Sequence, residues 1–197
     1  MIDYDATTAL VVVDLQNDFA DPSGSLYVTG GEAIIARVND EVRQALEAGA
    51  LVVATQDWHP ESTPHFERDG GIWPVHCVGG TWGAELHPAF VLPPDAPRIK
   101  KGVDGHDGYS GFATRHPLSG ETRPTELESI LAERGIGSVR VCGLATDWCV
   151  NATAIDAARL GFVTTVLSGA MASVELQPGD GDRAIAEMAD AGVVIAD

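Results

Sequence analysis

Short runs of consecutive apolar residues alternate along the chain with segments in which apolar residues recur every three or four positions. The first pattern predicts buried strands, and the second predicts helices with one buried face. The predicted strands are 9–13, 51–55, 98–101, 138–142, 162–167 and 193–195, and the predicted helices are 33–48, 125–134, 147–160 and 180–191. Because these strands lack polar alternation and are separated by helices, we expect a parallel sheet covered on both faces, a three-layer α/β/α fold.

The stretch from Trp58 to Pro97 interrupts this regular alternation. It is rich in proline, glycine, histidine and tryptophan and shows little periodicity. A loop of this length inside a compact domain is usually either functional or disordered, and its tryptophans and four histidines argue against disorder. We therefore predict a single domain, 1–197, with a functional loop region at 57–97.

The charge of the chain narrows the choice of partners. There are 29 acidic and 12 basic residues, which gives a formal net charge of −17. Such a surface repels nucleic acid and anionic lipid, so we expect neither as a partner, while assembly into a homo-oligomer stays open. The apolar runs are too short for a membrane span, the N-terminus lacks a signal-like pattern, and three cysteines do not suggest a disulfide framework. We expect a cytoplasmic protein with free thiols.

Candidate reactive residues fall at the ends of predicted strands, where parallel sheets bind their ligands. Asp14 follows the first strand, Lys101 ends the third, and Cys149 follows the fourth. A cysteine nucleophile needs a base and electrostatic help, which an aspartate and a lysine can supply. Taken singly, Asp14 is better explained as a turn residue at a strand end and Lys101 as a solvated surface lysine. Their shared position at the ligand-binding edge favours a catalytic cluster.

Cys149 lies at the predicted start of a helix, for which Thr146 or Asp147 is the predicted N-cap. The positive end of a helix lowers the pKa of a thiol, and its free N–H groups can stabilise an oxyanion. The alternative is that Cys149 is a small buried hydrophobic residue, the commoner fate of a lone cysteine. Cys142, within a strand, and Cys77, within the long loop, are assigned to packing.

A carboxylate and two imidazoles lie close together in the long loop, at Asp57, His59 and His65, and His76 follows. Nitrogen and oxygen ligands of this kind suit one divalent metal ion, Zn²⁺, Mn²⁺ or Fe²⁺. This pattern predicts that 57–97 is a metal-binding loop region. The alternative is that these histidines cap turns or face solvent, and we assign that role to the remaining ones, His87, His106 and His116.

Seven short motifs occur in order between about Ala9 and Ser168. They are Asp14-Leu-Gln-Asn-Asp-Phe19, Asp57-Trp-His59, His65-Phe66, Trp73-Pro-Val-His-Cys77, Lys101-Gly102, Tyr109-Ser-Gly-Phe112 and Gly143-Leu-Ala-Thr-Asp-Trp-Cys-Val150. Together they resemble the nicotinamidase/pyrazinamidase family within the isochorismatase-like cysteine hydrolases. Any one of these motifs is moderately specific, but seven in the same order are highly specific.

The resemblance implies a six-stranded parallel sheet and a set of site residues. These are Asp14, Lys101 and Cys149 for catalysis; Asp57, His59 and His65 for the metal, with His76 as a fourth ligand or a neighbour of the ligands; the backbone N–H groups of Ala145 and Cys149 for the oxyanion; and Phe19, Trp73 and Tyr109 for the substrate ring. It also implies a cis peptide bond between Leu144 and Ala145. Trp148 departs from the family pattern, in which tyrosine or histidine often precedes the nucleophile, so the breadth of substrates is in question.

The implied activity is hydrolysis of nicotinamide to nicotinate and ammonia in NAD salvage, and of pyrazinamide, through a thioester on Cys149. Three alternatives stay open. One is a metal-free hydrolase of the same fold that acts on another amide, carbamoyl or vinyl-ether substrate. Another is a non-catalytic binding member of the fold, and the third is a metal hydrolase in which the cysteine is incidental.

Overall fold

Six strands of the chain form one parallel sheet. The computed structural model describes residues 4–197, so the first three residues of the predicted domain 1–197 lie outside the described range. The strands are β1 (Thr8–Val13), β2 (Leu51–Asp57), β3 (Arg98–Lys101), β6 (Ser138–Leu144), β7 (Val163–Ala172) and β8 (Val194–Ala196), with β4 (Ala113–Arg115) and β5 (Thr122–Pro124) in a separate antiparallel hairpin. The order in the sheet is β3-β2-β1-β6-β7-β8 and all neighbouring strands are parallel, which confirms the implied six-stranded parallel sheet.

Helices cover both faces of this sheet. They are α1 (Asn17–Ala20), α2 (Ile35–Glu47), α3 (Leu127–Glu133), α4 (Asn151–Arg159) and α5 (Asp180–Asp190). Successive side chains of a strand point to opposite faces, so Leu10 and Val12 pack with α2, whereas Val11 and Val13 pack with α3, α4 and α5. Within residues 4–197, no helix has both the length and the apolar character needed to cross a membrane. The predicted three-layer α/β/α fold is confirmed.

The predicted elements differ from the observed ones mainly at their ends. Strand β6 continues to Leu144 and β7 to Ala172, beyond the predicted ends at 142 and 167. Small and polar residues break the apolar pattern there, but parallel pairing between these two strands continues. The helix predicted from 147 begins at Asn151, after a wide π-helical turn at Thr146–Val150. The short α1, β4 and β5 were not predicted, because three or four residues leave no periodicity.

Gly143 allows β6 to lie close to β1 where both strands approach the site. Its φ angle is +111°, and a Cβ atom at this position would lie 2.1 Å from the carbonyl oxygen of Val13. Both the backbone conformation and the lack of space exclude a larger residue. The turn that carries Cys149 therefore starts from a backbone position that only glycine fits.

We predict that Gly143→Ala lowers the free energy of unfolding by about 2 kcal/mol or more, because it adds backbone strain and a clash with β1. Urea denaturation followed by circular dichroism measures the change. Gly137→Ala is the matched control, since a Cβ atom there meets nothing within 4 Å and φ is not positive. Equal stability of the two variants would contradict the close approach described here.

Candidate active site

Three ionisable side chains meet at the carboxyl edge of the sheet. Asp14 follows β1, Asp57 ends β2 and Lys101 ends β3, and all three are buried. The Nζ atom of Lys101 lies 2.6 Å from Oδ2 of Asp14 and 2.9 Å from Oδ1 of Asp57. It also donates a hydrogen bond to the carbonyl oxygen of Gly108. One buried cation thus bridges two carboxylates.

Asp14 is held in position by Thr55. Thr55 Oγ1 donates a 2.6 Å hydrogen bond to its Oδ1, and the backbone N–H of Asp14 donates to the same Thr55 oxygen at 3.2 Å. Burial raises the pKa of Asp14, Lys101 opposes that effect and Asp57 adds to it, so the pKa lies at about 6. A carboxyl group with a pKa near neutrality can both take and return a proton.

Asp57 has the opposite character. Burial alone would raise the pKa of this carboxyl, but Lys101 and His59 beside it hold the pKa well below its usual range. Gln16 fixes its main chain, since the Gln16 side-chain amide donates to the carbonyl oxygen of Asp57 at 2.7 Å and accepts from its N–H at 2.8 Å. The surroundings of Asp57 therefore favour its ionised form, and Gln16 holds its main chain in place.

Cys149 lies in the π-helical turn, and its Sγ atom is within 4.8 Å of carboxylate oxygens of Asp14 and Asp57. Burial raises the pKa of the Cys149 thiol well above its usual range; Lys101 opposes this effect and the two aspartates add to it. The prediction that a helix start lowers this pKa is wrong for the protein without substrate. The thiol is buried beside two acidic groups, and the regular helix begins only after it.

The predicted N-cap is also wrong. Ala145 precedes the turn and no side chain caps it. The carboxylate of Asp147 instead accepts hydrogen bonds from the N–H groups of Val174 and Glu175, both at 2.9 Å. It therefore ties the turn to the segment that follows β7. The Leu144–Ala145 peptide is cis, as the family resemblance implies.

Three histidines form a buried cluster next to this centre. Ring nitrogens of His59, His65 and His76 lie within 4.8 Å of one another. Oδ2 of Asp57 is 3.6 Å from Nε2 of His59 and 3.9 Å from Nε2 of His76. Nδ1 of His76 lies 2.7 Å from the carbonyl oxygen of Pro74, which leaves its Nε2 toward the cluster. The carboxylate of Asp57 and the three imidazoles, which the sequence predicted to lie close together, are therefore neighbours in the structure.

The donor set fits a divalent metal ion. Both ring nitrogens of His59 are buried and have no hydrogen-bond partner among residues 4–197. Unpaired buried nitrogens are costly unless something binds them, and neutral imidazoles with a carboxylate suit ions such as Zn²⁺. Burial lowers the pKa of His76 to about 4, so this ring is neutral, as a metal ligand must be.

The other histidines and cysteines lie outside the cluster. Nδ1 of His106 is 2.6 Å from the carboxylate of Asp104, and His116 accepts hydrogen bonds from backbone N–H groups of its own turn. Cys77 and Cys142 are buried in the core. The positions of His116 and the two cysteines agree with their assignment to turns and packing, as does that of His87, which accepts a hydrogen bond from the N–H of Ala89. His106 is buried beside a carboxylate, so its assignment to a turn or to solvent is wrong.

An aromatic pocket of about 350 Å³, counting the space at its opening, connects the thiol with the histidine cluster. Its lining includes Phe19, Trp73, Tyr109 and Trp148. Trp73 Nε1 donates to the hydroxyl of Tyr109 at 3.0 Å, and the ring of Trp148 packs edge-on against Trp73 with centroids 4.7 Å apart. The enclosed part of this pocket is narrow, about 30 Å³, and its aromatic, largely apolar walls suit a flat ring.

The sequence analysis did not identify three residues whose side chains contact and orient the candidate site residues. Thr55 orients Asp14, Gln16 clamps Asp57, and Asp107 lies 2.7 Å from Nδ1 of His65. Gln16 stands within a quoted motif, two residues after Asp14, which is a usable signal. Nothing in the Gly-rich sequence around Asp107 distinguishes it from an ordinary loop aspartate.

Comparisons with known proteins agree with this geometry. A family model described as "Isochorismatase domain" matches residues 8–197. The nicotinamidase of Escherichia coli is 34% identical over 95% of this chain and 93% of that protein. The pyrazinamidase of Pyrococcus horikoshii, solved in complex with zinc, is 42% identical with a TM-score of 0.85, covering 96% of this chain and 98% of the other. PnC1 from L. infantum, solved with nicotinate, is 38% identical with a TM-score of 0.87. The match covers 98% of this chain and 94% of that protein.

We predict that Lys101→Met lowers the free energy of unfolding by about 3–5 kcal/mol, because it leaves two buried carboxylates without their cation. Chemical denaturation at neutral pH measures the loss. Lys100→Met is the control: its exposed ammonium stacks 3.3 Å from the ring centre of Trp58, a contact that contributes about 1 kcal/mol or less. If both variants were as stable as the wild type, the buried ion pairs would not be needed.

Proposed function

Because the chain belongs to the isochorismatase family, we propose that it hydrolyses nicotinamide to nicotinate and ammonia, and pyrazinamide by the same route. One observation carries this proposal: the Cys149 thiol, with Asp14 and Lys101 beside it, shares an aromatic pocket with the histidine cluster. The zinc complex of the pyrazinamidase from P. horikoshii and the nicotinate complex of PnC1 from L. infantum support it. So does the match to nicotinamidases over nearly the whole chain.

The reaction starts with proton transfer inside the cluster. Asp14 takes the proton of the Cys149 thiol, and Lys101 balances the charge that moves between them. The sulfur then attacks the carboxamide carbon, and the backbone N–H groups of Ala145 and Cys149 bind the resulting oxyanion. Substrate in the pocket makes this transfer productive, since the resting thiol holds its proton.

The second half of the reaction reverses the proton movements. Asp14 returns the proton to the departing ammonia, and a thioester between the acyl group and Cys149 remains. Asp14 then removes a proton from water, which attacks the thioester and releases nicotinate. Asp14 gives the proton taken from water to the departing sulfur of Cys149, which restores the free thiol. Amide and water thus become a carboxylic acid and ammonia, and the proton that the acid releases is taken up by ammonia.

Asp57, His59 and His65 would hold one divalent ion, with His76 as a fourth ligand or a neighbour. When bound, such an ion supplies a Lewis acid that can accept the lone pair of the substrate's ring nitrogen. We favour Zn²⁺ over Mn²⁺ and Fe²⁺, because imidazole-rich sites with one carboxylate suit it. Phe19 and Trp73, which line the pocket, would enclose the ring, and the hydroxyl of Tyr109 accepts a hydrogen bond from Trp73.

We predict that Cys149→Ala abolishes ammonia release from nicotinamide, with a loss of at least about 1,000-fold, because no other group can form the thioester. A coupled ammonia assay with purified protein measures it. Cys142→Ala, which removes a buried thiol from the middle of β6, retains activity. Substantial activity in Cys149→Ala would rule out the covalent route and leave the metal hydrolase of the third alternative.

We predict that one divalent ion per chain copurifies with the protein and that the double change His59→Ala and His76→Ala removes it, because two of the imidazoles are lost. Elemental analysis after desalting measures the metal content. His116→Ala lies outside the cluster and keeps the ion. A metal-free wild type with full activity would favour the metal-free hydrolase instead.

A further inference from the structure

Asp107 contacts the histidine cluster from outside the pocket. Its Oδ1 lies 2.7 Å from Nδ1 of His65, and its side chain is mostly buried. Nδ1 of His76 reaches a main-chain carbonyl, and His59 has no hydrogen-bond partner on either nitrogen. Within residues 4–197, His65 is therefore the one ring of the three that a side chain from outside the cluster holds at hydrogen-bond distance.

The contact with Asp107 determines the tautomer and the orientation of the His65 ring. A carboxylate can only accept hydrogen bonds, so Nδ1 of His65 carries the proton and donates it to Asp107. With the proton on Nδ1, Nε2 is the nitrogen whose lone pair is left for a metal ion, and the bond to Asp107 restricts the orientation of the ring. The ring of His65 stacks on that of His59 with centroids 4.7 Å apart, so its orientation also fixes the packing of the cluster.

Asp107 is itself held by the main chain. Its N–H donates to the carbonyl oxygen of Arg115 at 2.7 Å, and its carbonyl oxygen accepts from the N–H of Arg115 at 3.0 Å. The next residue, Gly108, accepts the hydrogen bond from Lys101, and a Cβ atom there would lie 2.7 Å from Cβ of Lys101. Two consecutive residues thus support the two halves of the site, Asp107 the histidines and Gly108 the catalytic lysine.

We propose that Asp107 is a positioning residue of the metal centre, which sets the tautomer and the orientation of His65 and thereby raises the affinity for the ion. The inference rests on the metal site of the proposed function. Carboxylates that orient a ligating histidine typically change metal affinity by about 10–100-fold when they are removed. Asp107 takes no part in the thiol chemistry, since it contacts His65 and not Cys149 or Asp14.

The test is the Zn²⁺ dissociation constant of metal-stripped variants, measured by competition with a chromogenic chelator. Asp107→Ala should weaken binding by about 10–100-fold. Asp107→Asn should weaken it less, because its amide oxygen can still accept from Nδ1 of His65. Asp104→Ala is the matched control: this carboxylate pairs with His106, three residues away and outside the cluster, and its loss should leave the constant within about twofold.

Two further readouts separate positioning from a general structural role. Ammonia release by Asp107→Ala should recover toward the wild-type kcat when Zn²⁺ is added in excess, because the site is weakened and not lost. The melting temperatures of metal-free wild type and Asp107→Asn should agree within a few degrees. If Asp107→Ala does not fold, Asp107→Asn carries the comparison.

The outcomes are distinct. If the wild type binds Zn²⁺ and both Asp107 variants bind it as tightly, the positioning role is refuted while the proposed function stands. If activity lost in Asp107→Ala is not recovered by excess Zn²⁺, the role is refuted as well. If the wild type binds no divalent ion, the metal site and this inference fall together.

Discussion

The arrangement of the site depends on one buried cation between two buried carboxylates. Lys101 is fully buried, and without it Asp14 and Asp57 would be two like charges in a region without water. Such an arrangement is stable only when charges and hydrogen bonds are matched. The parallel sheet provides the matching, because three neighbouring strands end at the same edge and each delivers one of the three side chains. The order of the strands in the sheet therefore determines whether the buried charges are balanced.

The same cation gives the two carboxylates different tasks. Asp57 has the imidazoles of the cluster on its other side and stays ionised, which suits a metal ligand. Asp14 has Thr55 and the thiol of Cys149 as neighbours and titrates near neutrality, which suits a proton carrier. Two chemically identical side chains thus differ because of what lies beyond Lys101. The histidine cluster and the thiol lie on opposite sides of this residue.

Much of this could be predicted from the sequence, and the failures have physical causes. The buried strands were recognisable from their apolar runs, and strand ends identified Asp14, Asp57 and Lys101, because position in a parallel sheet follows from order along the chain. The predicted start of α4 was wrong because a wide turn precedes the helix. The predicted direction of the Cys149 pKa shift was wrong because the thiol is buried, which a local sequence pattern does not show. Asp107 was missed because its partner, His65, is 42 residues away.

The raised pKa of Cys149 bears on the chemical durability of the protein. Peroxides oxidise the thiolate much faster than the thiol, and exposure speeds the reaction further. The thiol of Cys149 is buried and its raised pKa favours the protonated form, and the other two cysteines are buried as well. In the proposed reaction the vulnerable thiolate exists only while a substrate fills the pocket and shields it. In that reaction the burial and the raised pKa of Cys149 both lower its exposure to oxidation between turnovers.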